Sequence, residues 1–154
     1  MAVTTASEKI GSRLFVKAYD HDPGATTAVL ASPDGGTTIR YLDMKDYENF
    51  GVMVRPTIAA GALTLVDIVA SADVAFTSPT VIKTSGTVAA DALNDVVWLE
   101  CTAEEVAQAA TDAGAALRYV AARLTNATGT DEADVIYVGV PKRPAPGLTA
   151  TLIT

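Results

Sequence analysis

The feature that most constrains the fold is a strand–helix–strand pattern in residues 94–124. Residues 96–101 are a short apolar run rich in β-forming side chains, and residues 117–124 are a second extended apolar run. Between them lie residues 103–113, which are alanine-rich and typical of an α-helix. A chain with this pattern must place a helix directly between two strands.

Local signals mark both ends of the predicted helix. Thr102 stands at the N-cap, and Glu105 follows at the spacing of a reciprocal capping box. Gly114 stands where a left-handed C-cap is expected. The residues expected to face inward are Val106, Ala107, Ala110 and Ala113. A stripe made mostly of alanine contributes only ~1 kcal/mol per methyl-sized group but permits close approach. We therefore expect the helix to lie flat across a sheet or against a neighbouring subunit.

The rest of the chain is typical of β structure. Its 154 residues suit one domain, and 49% are apolar with 19% charged, which is a globular composition. Outside the helix, the apolar residues form short runs rich in Val, Ile, Leu and Thr, separated by Gly and Pro. We expect a mainly β fold, an antiparallel β-sandwich or β-barrel, with one alanine-rich helix near residues 103–113.

The chain divides into three predicted parts. Residues 1–11 are small and polar and are expected to form an N-terminal arm, residues 12–140 a single β-rich domain, and residues 141–154 a proline-rich, extended C-terminal tail. The last residues, LTATLIT, are β-prone. Such a tail can add a strand to an exposed sheet edge of another copy.

The beginning of the domain predicts an antiparallel meander. Residues 12–20, 26–31 and 37–44 are predicted strands joined by tight turns. In the first of these strands, side chains alternate between the two faces, and we expect Leu14, Val16 and Ala18 to face the core.

Charge and composition restrict the partners. Eleven Lys and Arg residues against eighteen Asp and Glu give a net charge of −7, and the thin spread of cations argues against a nucleic-acid backbone as partner. No apolar run is long enough to span a membrane, and no signal-peptide pattern begins the chain. The single cysteine, Cys101, allows no disulfide within the chain. We expect a soluble protein that is made in a cytoplasm.

Two residues could carry chemistry. His21 lies between Asp20 and Asp22 and could act as a base or bind a metal, but one histidine supplies too few nitrogen ligands for zinc. An exposed turn histidine is the favoured interpretation. Cys101 precedes a helix N-terminus, which can lower a thiol pKa. Alternation places it with Val97 and Leu99, so a buried, inert thiol is favoured.

The remaining polar features favour structural roles. The carboxylates that could form an acid/base pair or a calcium site are Asp91, Asp95, Glu100, Glu104 and Glu105, but they lack EF-hand spacing. Trp98 is expected to be buried against the helix rather than to form a ligand platform. Asn126 is the first residue of an Asn-x-Thr sequence, which formally fits an N-glycosylation acceptor. Lys142 and Arg143 form a basic patch that is too small to bind nucleic acid. We expect no catalytic, cofactor or metal site.

Several stretches resemble small structural proteins of tailed bacteriophages, which are encoded among head and neck genes. These stretches are residues 11–27 (GSRLFVKAYDHDPGATT), 68–71 (IVAS), 81–92 (VIKTSGTVAADA), 100–125 (ECTAEEVAQAATDAGAALRYVAARLT) and 140–150 (VPKRPAPGLTA). The resemblance lies in the overall texture of most of the chain and implies a β-rich virion component without enzymatic activity. Within that class it favours a capsid decoration (cement) protein, expected as a trimer that braces neighbouring copies of the major capsid protein.

Two alternatives remain open. The first is another part of the same kind of virion, a tail tube, tail terminator or connector protein, which would form rings that are usually hexameric. The second is an enzyme or ligand-binding β-barrel, which would need convergent polar residues in a pocket. With one histidine in the chain, hydrolase chemistry is disfavoured.

Overall fold

The computed structural model describes residues 15–24, 28–58, 63–88 and 95–142. These residues contain nine strands and one helix. The elements are β1 (Phe15–His21), β2 (Ala28–Leu30), β3 (Leu42–Asp43), β4 (Tyr47–Ile58), β5 (Leu63–Ser71), β6 (Thr80–Thr84), β7 (Val97–Thr102), α1 (Ala103–Ala113), β8 (Tyr119–Asn126) and β9 (Glu132–Pro141).

The strands form two antiparallel sheets that pack as a β-sandwich. Sheet A has the order β1-β9-β4-β7, and sheet B has the order β2-β8-β5-β6, with β3 also paired to β8. The expected fold class, mainly antiparallel β with a single short helix, is therefore confirmed. The predicted arm, residues 1–11, and most of the predicted tail, residues 141–154, lie outside the described residues.

The core lies between the inner faces of the two sheets. Its central buried side chains are Phe50, Val52, Val54, Val135 and Tyr137 from sheet A and Val66, Ile68, Ala70, Val120, Ala122 and Leu124 from sheet B. The Tyr137 ring packs edge-on against Phe50, and its hydroxyl reaches across to sheet B. There it accepts a hydrogen bond from the Ala122 N–H (2.8 Å) and donates one to the Arg40 carbonyl (2.9 Å).

The predicted meander of the first three strands is wrong. β1 belongs to sheet A, whereas β2 and β3 both pair with β8 in sheet B. β2 pairs with the C-terminal half of β8 and β3 pairs with its N-terminal end. The two short strands therefore lie along the same edge of β8 as one edge line, which residues 31–41 interrupt. Most of the strand predicted over residues 37–44 is therefore an excursion from the edge. A tight turn in the sequence indicates that the chain reverses direction, but it does not indicate to which sheet the next strand belongs.

The faces of β1 are also the reverse of the expected ones. Val16 is 43% exposed and Ala18 is exposed, whereas Phe15 and Tyr19 pack against the core. Both faces of this strand carry apolar side chains, so alternation alone does not identify the inner face. The larger aromatic rings bury more apolar area and take the inward positions.

The helix has the predicted bounds, but its predicted inward stripe is confirmed as buried only at Val106. The Thr102 hydroxyl accepts from the Glu105 N–H (3.1 Å) and a Glu105 carboxylate oxygen accepts from the Thr102 N–H (2.9 Å), which is the expected capping box. Gly114 is left-handed, with φ 61°. Val106 is the one buried helix residue, while Ala107 and Ala113 are exposed. The helix reaches the core through Ala103 and Val106, which lie in its first turn.

Removing the cap should weaken the fold measurably. We expect Thr102→Ala to lower the free energy of unfolding by about 1 kcal/mol, because the Glu105 N–H in the first turn loses its hydroxyl acceptor. Urea denaturation gives this value. Thr111→Ala, an exposed change in the same helix, is the matched control and should not destabilise. Equal stability of the two variants would contradict the cap's role.

Candidate functional site

His21 is not the exposed turn residue that the sequence predicts. It closes β1, is 1% exposed, and its Nδ1 accepts a hydrogen bond from the Ser32 N–H (3.3 Å). Its Nε2 is buried without a hydrogen-bond partner. Burial lowers the pKa of His21 to about 4, so the ring stays neutral near pH 7. Ser32 belongs to the excursion formed by residues 31–41, and its contact with this ring, eleven residues away in sequence, is not revealed by local turn signals.

Cys101 is the buried thiol that alternation predicts. It is 1% exposed, and burial raises its pKa to about 12. This shift lowers the thiolate fraction roughly a thousandfold at neutral pH. We expect a disulfide-type thiol reagent to label the native protein more than about a hundredfold more slowly than the urea-unfolded protein. Equal labelling rates would show that this thiol is accessible in the folded state.

Four of the five candidate carboxylates lie within the described residues, Asp95, Glu100, Glu104 and Glu105, and they form no metal-binding group there. Asp91 lies outside the described residues. Glu105 is engaged by the capping box and by an ion pair with Lys83 (2.5 Å), while Glu100 and Glu104 are exposed. Within the described ranges, no group of three or more His, Cys, Asp or Glu side chains is placed to hold a metal ion.

Asn126 and Lys142 are used in holding the fold. Asn126 is 5% exposed and its side-chain amide donates to the Asp131 carbonyl (3.2 Å), so this amide is not available as a glycosylation acceptor in the folded chain. The Lys142 ammonium donates to the Met44 carbonyl (3.0 Å) across the end of the sandwich. Arg143 lies outside the described residues.

Trp98 is not buried against the helix. Alternation correctly separates it from Val97 and Leu99, which pack against the core, but the opposite side of β7 faces away from the sandwich. Trp98 is 49% exposed and its indole lies over Gly51 of β4. A Cβ atom at Gly51 would come within 2.7 Å of the Trp98 Cη2 atom, so glycine is needed for this stacking on the sheet.

The outward side of sheet A carries one row of residues that is apolar on all four strands and a second row that is apolar on three. One cross-strand row is Ala18–Ile136–Met53–Trp98, and the adjacent row is Val16–Val138–Gly51–Glu100. We call the apolar members of these two rows the A-face: Val16, Ala18, Gly51, Met53, Trp98, Ile136 and Val138. None of them belongs to the core cluster or packs against it. A charged row, in which Arg55 pairs with Asp134, borders the A-face.

Sheet B shows what a covered outer face looks like. Its outward residues Val69 and Ala121 pack with Phe76, and Ile39 adds to this second cluster. Phe76 comes from residues 72–79 and has a φ of 52°, which is costly for a non-glycine residue. Within the described residues, the A-face has no comparable cover.

Two similar turns occur in the segments that carry Ile39 and Phe76, the residues that cover the outer face of sheet B. In the first turn, the Asp34 N–H donates to the Ser32 hydroxyl and the Asp34 carboxylate accepts from Thr38. Residues 71, 73 and 77 repeat this Ser-x-Asp-x-x-x-Thr arrangement with the same partners. Sequence reasoning missed this repeat, although its spacing is visible in the chain.

The two ends of the described chain lie beside the A-face. Phe15, the first residue of β1, pairs with Gly139, and β9 ends two residues later at Pro141. Phe15 and Pro141 therefore lie at the same end of sheet A on adjacent strands. The signal for this surface was present as apolar residues on both faces of strands, which is typical of a sheet covered on both sides.

Among the described residues, no helix has the length and apolar character to cross a membrane. No protein-family model matches this chain, and no curated protein matches it either.

Proposed function

We propose that this chain is a non-enzymatic structural protein of a tailed-phage virion, a capsid decoration protein that assembles as a trimer and braces neighbouring major capsid subunits. The single observation that carries the proposal is the A-face, an apolar surface that crosses the four strands of sheet A. Contiguous apolar surface of this kind is typical of protein interaction sites. The assignment to a virion comes from the resemblance of the sequence to small structural proteins of tailed bacteriophages.

The described residues suit assembly better than catalysis. The two residues that could carry chemistry, His21 and Cys101, are both buried, and the Cys101 thiol is protonated at neutral pH. A tail-tube protein is expected to carry a long hairpin loop, and the two candidate loops in this sequence, residues 73–91 and 126–134, are both short. These features favour a head protein over a tube protein.

The test is the solution mass by light scattering, followed by sedimentation with shells of the major capsid protein from the same virus. A trimer that sediments with the shells supports the proposal. A hexameric ring would replace it with a tail terminator or connector, and a monomer that ignores the shells would overturn it.

A matched pair of variants identifies the surface. Val16→Glu places a charge on the A-face, whereas Val74→Glu changes an equally exposed valine (46% against 43%) away from it. We expect the first to reduce shell binding or assembly at least about tenfold, because an apolar contact would have to desolvate a carboxylate. The second should behave as the parent chain. Equal behaviour of both variants would remove the A-face from the proposal.

A further inference from the structure

We propose that the A-face and a cleft at its end bind an extended segment of a partner protein, in which apolar side chains are followed by lysine or arginine. This inference rests on the proposed function, because it names the kind of segment that the A-face contacts on the capsid. It follows from where the cleft lies, from the charges around it, and from the spacing of the cleft and the apolar rows along sheet A.

An open cleft of about 710 Å³ lies at one end of the A-face. Its lining residues are Glu48, Asn49, Thr102, Ala103, Glu104 and Lys142. Two of them, Asn49 and Thr102, are partners in the β4–β7 ladder and stand two residues beyond the pair Gly51 and Glu100. Because side chains two residues apart share a face of a sheet, this row directly follows the second row of the A-face. A segment that crosses the two apolar rows along the strands therefore enters the cleft next.

The cleft carries more negative than positive charge. Glu48 and Glu104 line it, and Glu100 lies in the adjacent row of sheet A. All three carboxylates are exposed, and none of them belongs to an ion pair within the described part of the chain. Lys142, the cation of the lining, has its ammonium on the Met44 carbonyl (3.0 Å). The end of the A-face at the cleft is therefore an acidic surface whose charge is not compensated locally.

This charge pattern selects among the possible occupants of the A-face. A nucleic-acid backbone or an anionic lipid surface would place phosphates against the carboxylates of the cleft, which is unfavourable. A second copy of this chain, with a net charge of −7, would bring further negative charge to the same place. A lysine or arginine side chain meets the carboxylates with opposite charge, and its aliphatic stem can lie on the neighbouring apolar row. The complementary occupant is therefore a protein segment that is both apolar and basic.

The spacing of the surface gives the pattern of the segment. Side chains on one side of an extended backbone recur every two residues, about 6.8 Å apart, and the rows of a sheet have the same spacing. A segment that lies along the strands therefore places apolar side chains at its positions 1 and 3 on the two rows of the A-face. Its positions 5 and 7 then lie at the cleft, where lysine or arginine fits.

Trp98 is the single tryptophan of the chain and lies in the first apolar row, so its fluorescence reports binding. The probe is the peptide Leu-Ser-Leu-Ser-Lys-Ser-Lys with blocked ends, which contains no aromatic residue. At a peptide concentration of about 1 mM, we expect a blue shift of the emission and weaker quenching by acrylamide, because the exposed indole loses contact with water. The matched peptide with glutamate in place of both lysines should bind about tenfold more weakly at about 10 mM salt.

A matched pair of double variants tests whether the cleft binds the lysines. Glu48→Gln with Glu104→Gln removes two charges from the cleft, whereas Asp20→Asn with Asp112→Asn removes two exposed charges away from it. The first should reduce the preference for the lysine peptide from about tenfold to about twofold, and the second should leave it unchanged. Circular dichroism establishes that both variants fold. Equal preference in the two variants would overturn the proposal, as would equal responses of the parent chain to the two peptides, including no response to either.

The result is separable from the proposed function, because the peptide titration uses the purified protein without shells. A blue shift that grows with the concentration of the protein alone would show that a second copy covers the A-face, and would overturn this inference. Shell binding by a protein without peptide preference would overturn this inference alone. Selective binding of the lysine peptide by a protein that does not bind shells would support this inference and count against the decoration role.

Discussion

Replacing Tyr137 by phenylalanine is expected to lower the free energy of unfolding by about 2 kcal/mol, although it removes only one oxygen atom. The Tyr137 hydroxyl bonds the Ala122 N–H (2.8 Å) and the Arg40 carbonyl (2.9 Å). This hydroxyl lies where residues 31–41 interrupt the edge line of β2 and β3. It therefore supplies the hydrogen bonds that a continuous edge strand would otherwise make to these two backbone groups. Without it, a buried N–H on β8 has no partner.

Urea denaturation measures this effect, and ring packing provides its control. Phenylalanine keeps the edge-on contacts with Phe50 (4.8 Å between centroids) and with Tyr19 (5.4 Å), so the loss isolates the hydroxyl. Tyr41→Phe, at a 40% exposed ring, should change stability by less than about 0.5 kcal/mol. If Tyr137→Phe is no more destabilising than Tyr41→Phe, water or a shifted backbone satisfies the Ala122 N–H.

Local chemistry explains which parts of the fold were predictable from the sequence. The bounds of α1 follow from Thr102, Glu105 and Gly114, because each cap is made within a few residues of the chain. Pro56 has no N–H to donate to the β4–β9 ladder, and the ladder shows a register shift between Pro56 and Ile58. In both cases, the deciding interaction lies close in sequence.

Features that depend on distant pairing were not predictable. Alternation placed Trp98 opposite Leu99, but the space that it occupies exists because Gly51 of β4 lies beside it. The apolar character of the A-face arises only when four strands, from β1 to β9, come into register. A pattern read along one strand cannot indicate whether the strands beside it add apolar or charged neighbours.

The stability of the protein is expected to fall by about 3 kcal/mol between pH 7 and pH 4 because of His21. Burial lowers the pKa of His21 to about 4 in the folded state, against about 6.5 in the unfolded chain. Between these values the unfolded chain binds more protons. The stabilisation is therefore complete above about pH 6.5 and is lost as the pH falls toward 4.

The His21→Gln variant separates this effect from the other titrating groups. Glutamine stays neutral and can still accept the hydrogen bond from the Ser32 N–H, so its stability should be nearly flat from pH 7 to pH 4.5. Asp34, whose pKa is lowered to about 2 by hydrogen bonds from Ser32 and Thr38, adds its own loss only at lower pH. Urea denaturation at half-unit intervals gives both curves. Parallel curves for the two proteins would mean that His21 becomes protonated without unfolding, and that its Nε2 reaches water or an acceptor after a local opening of residues 31–41.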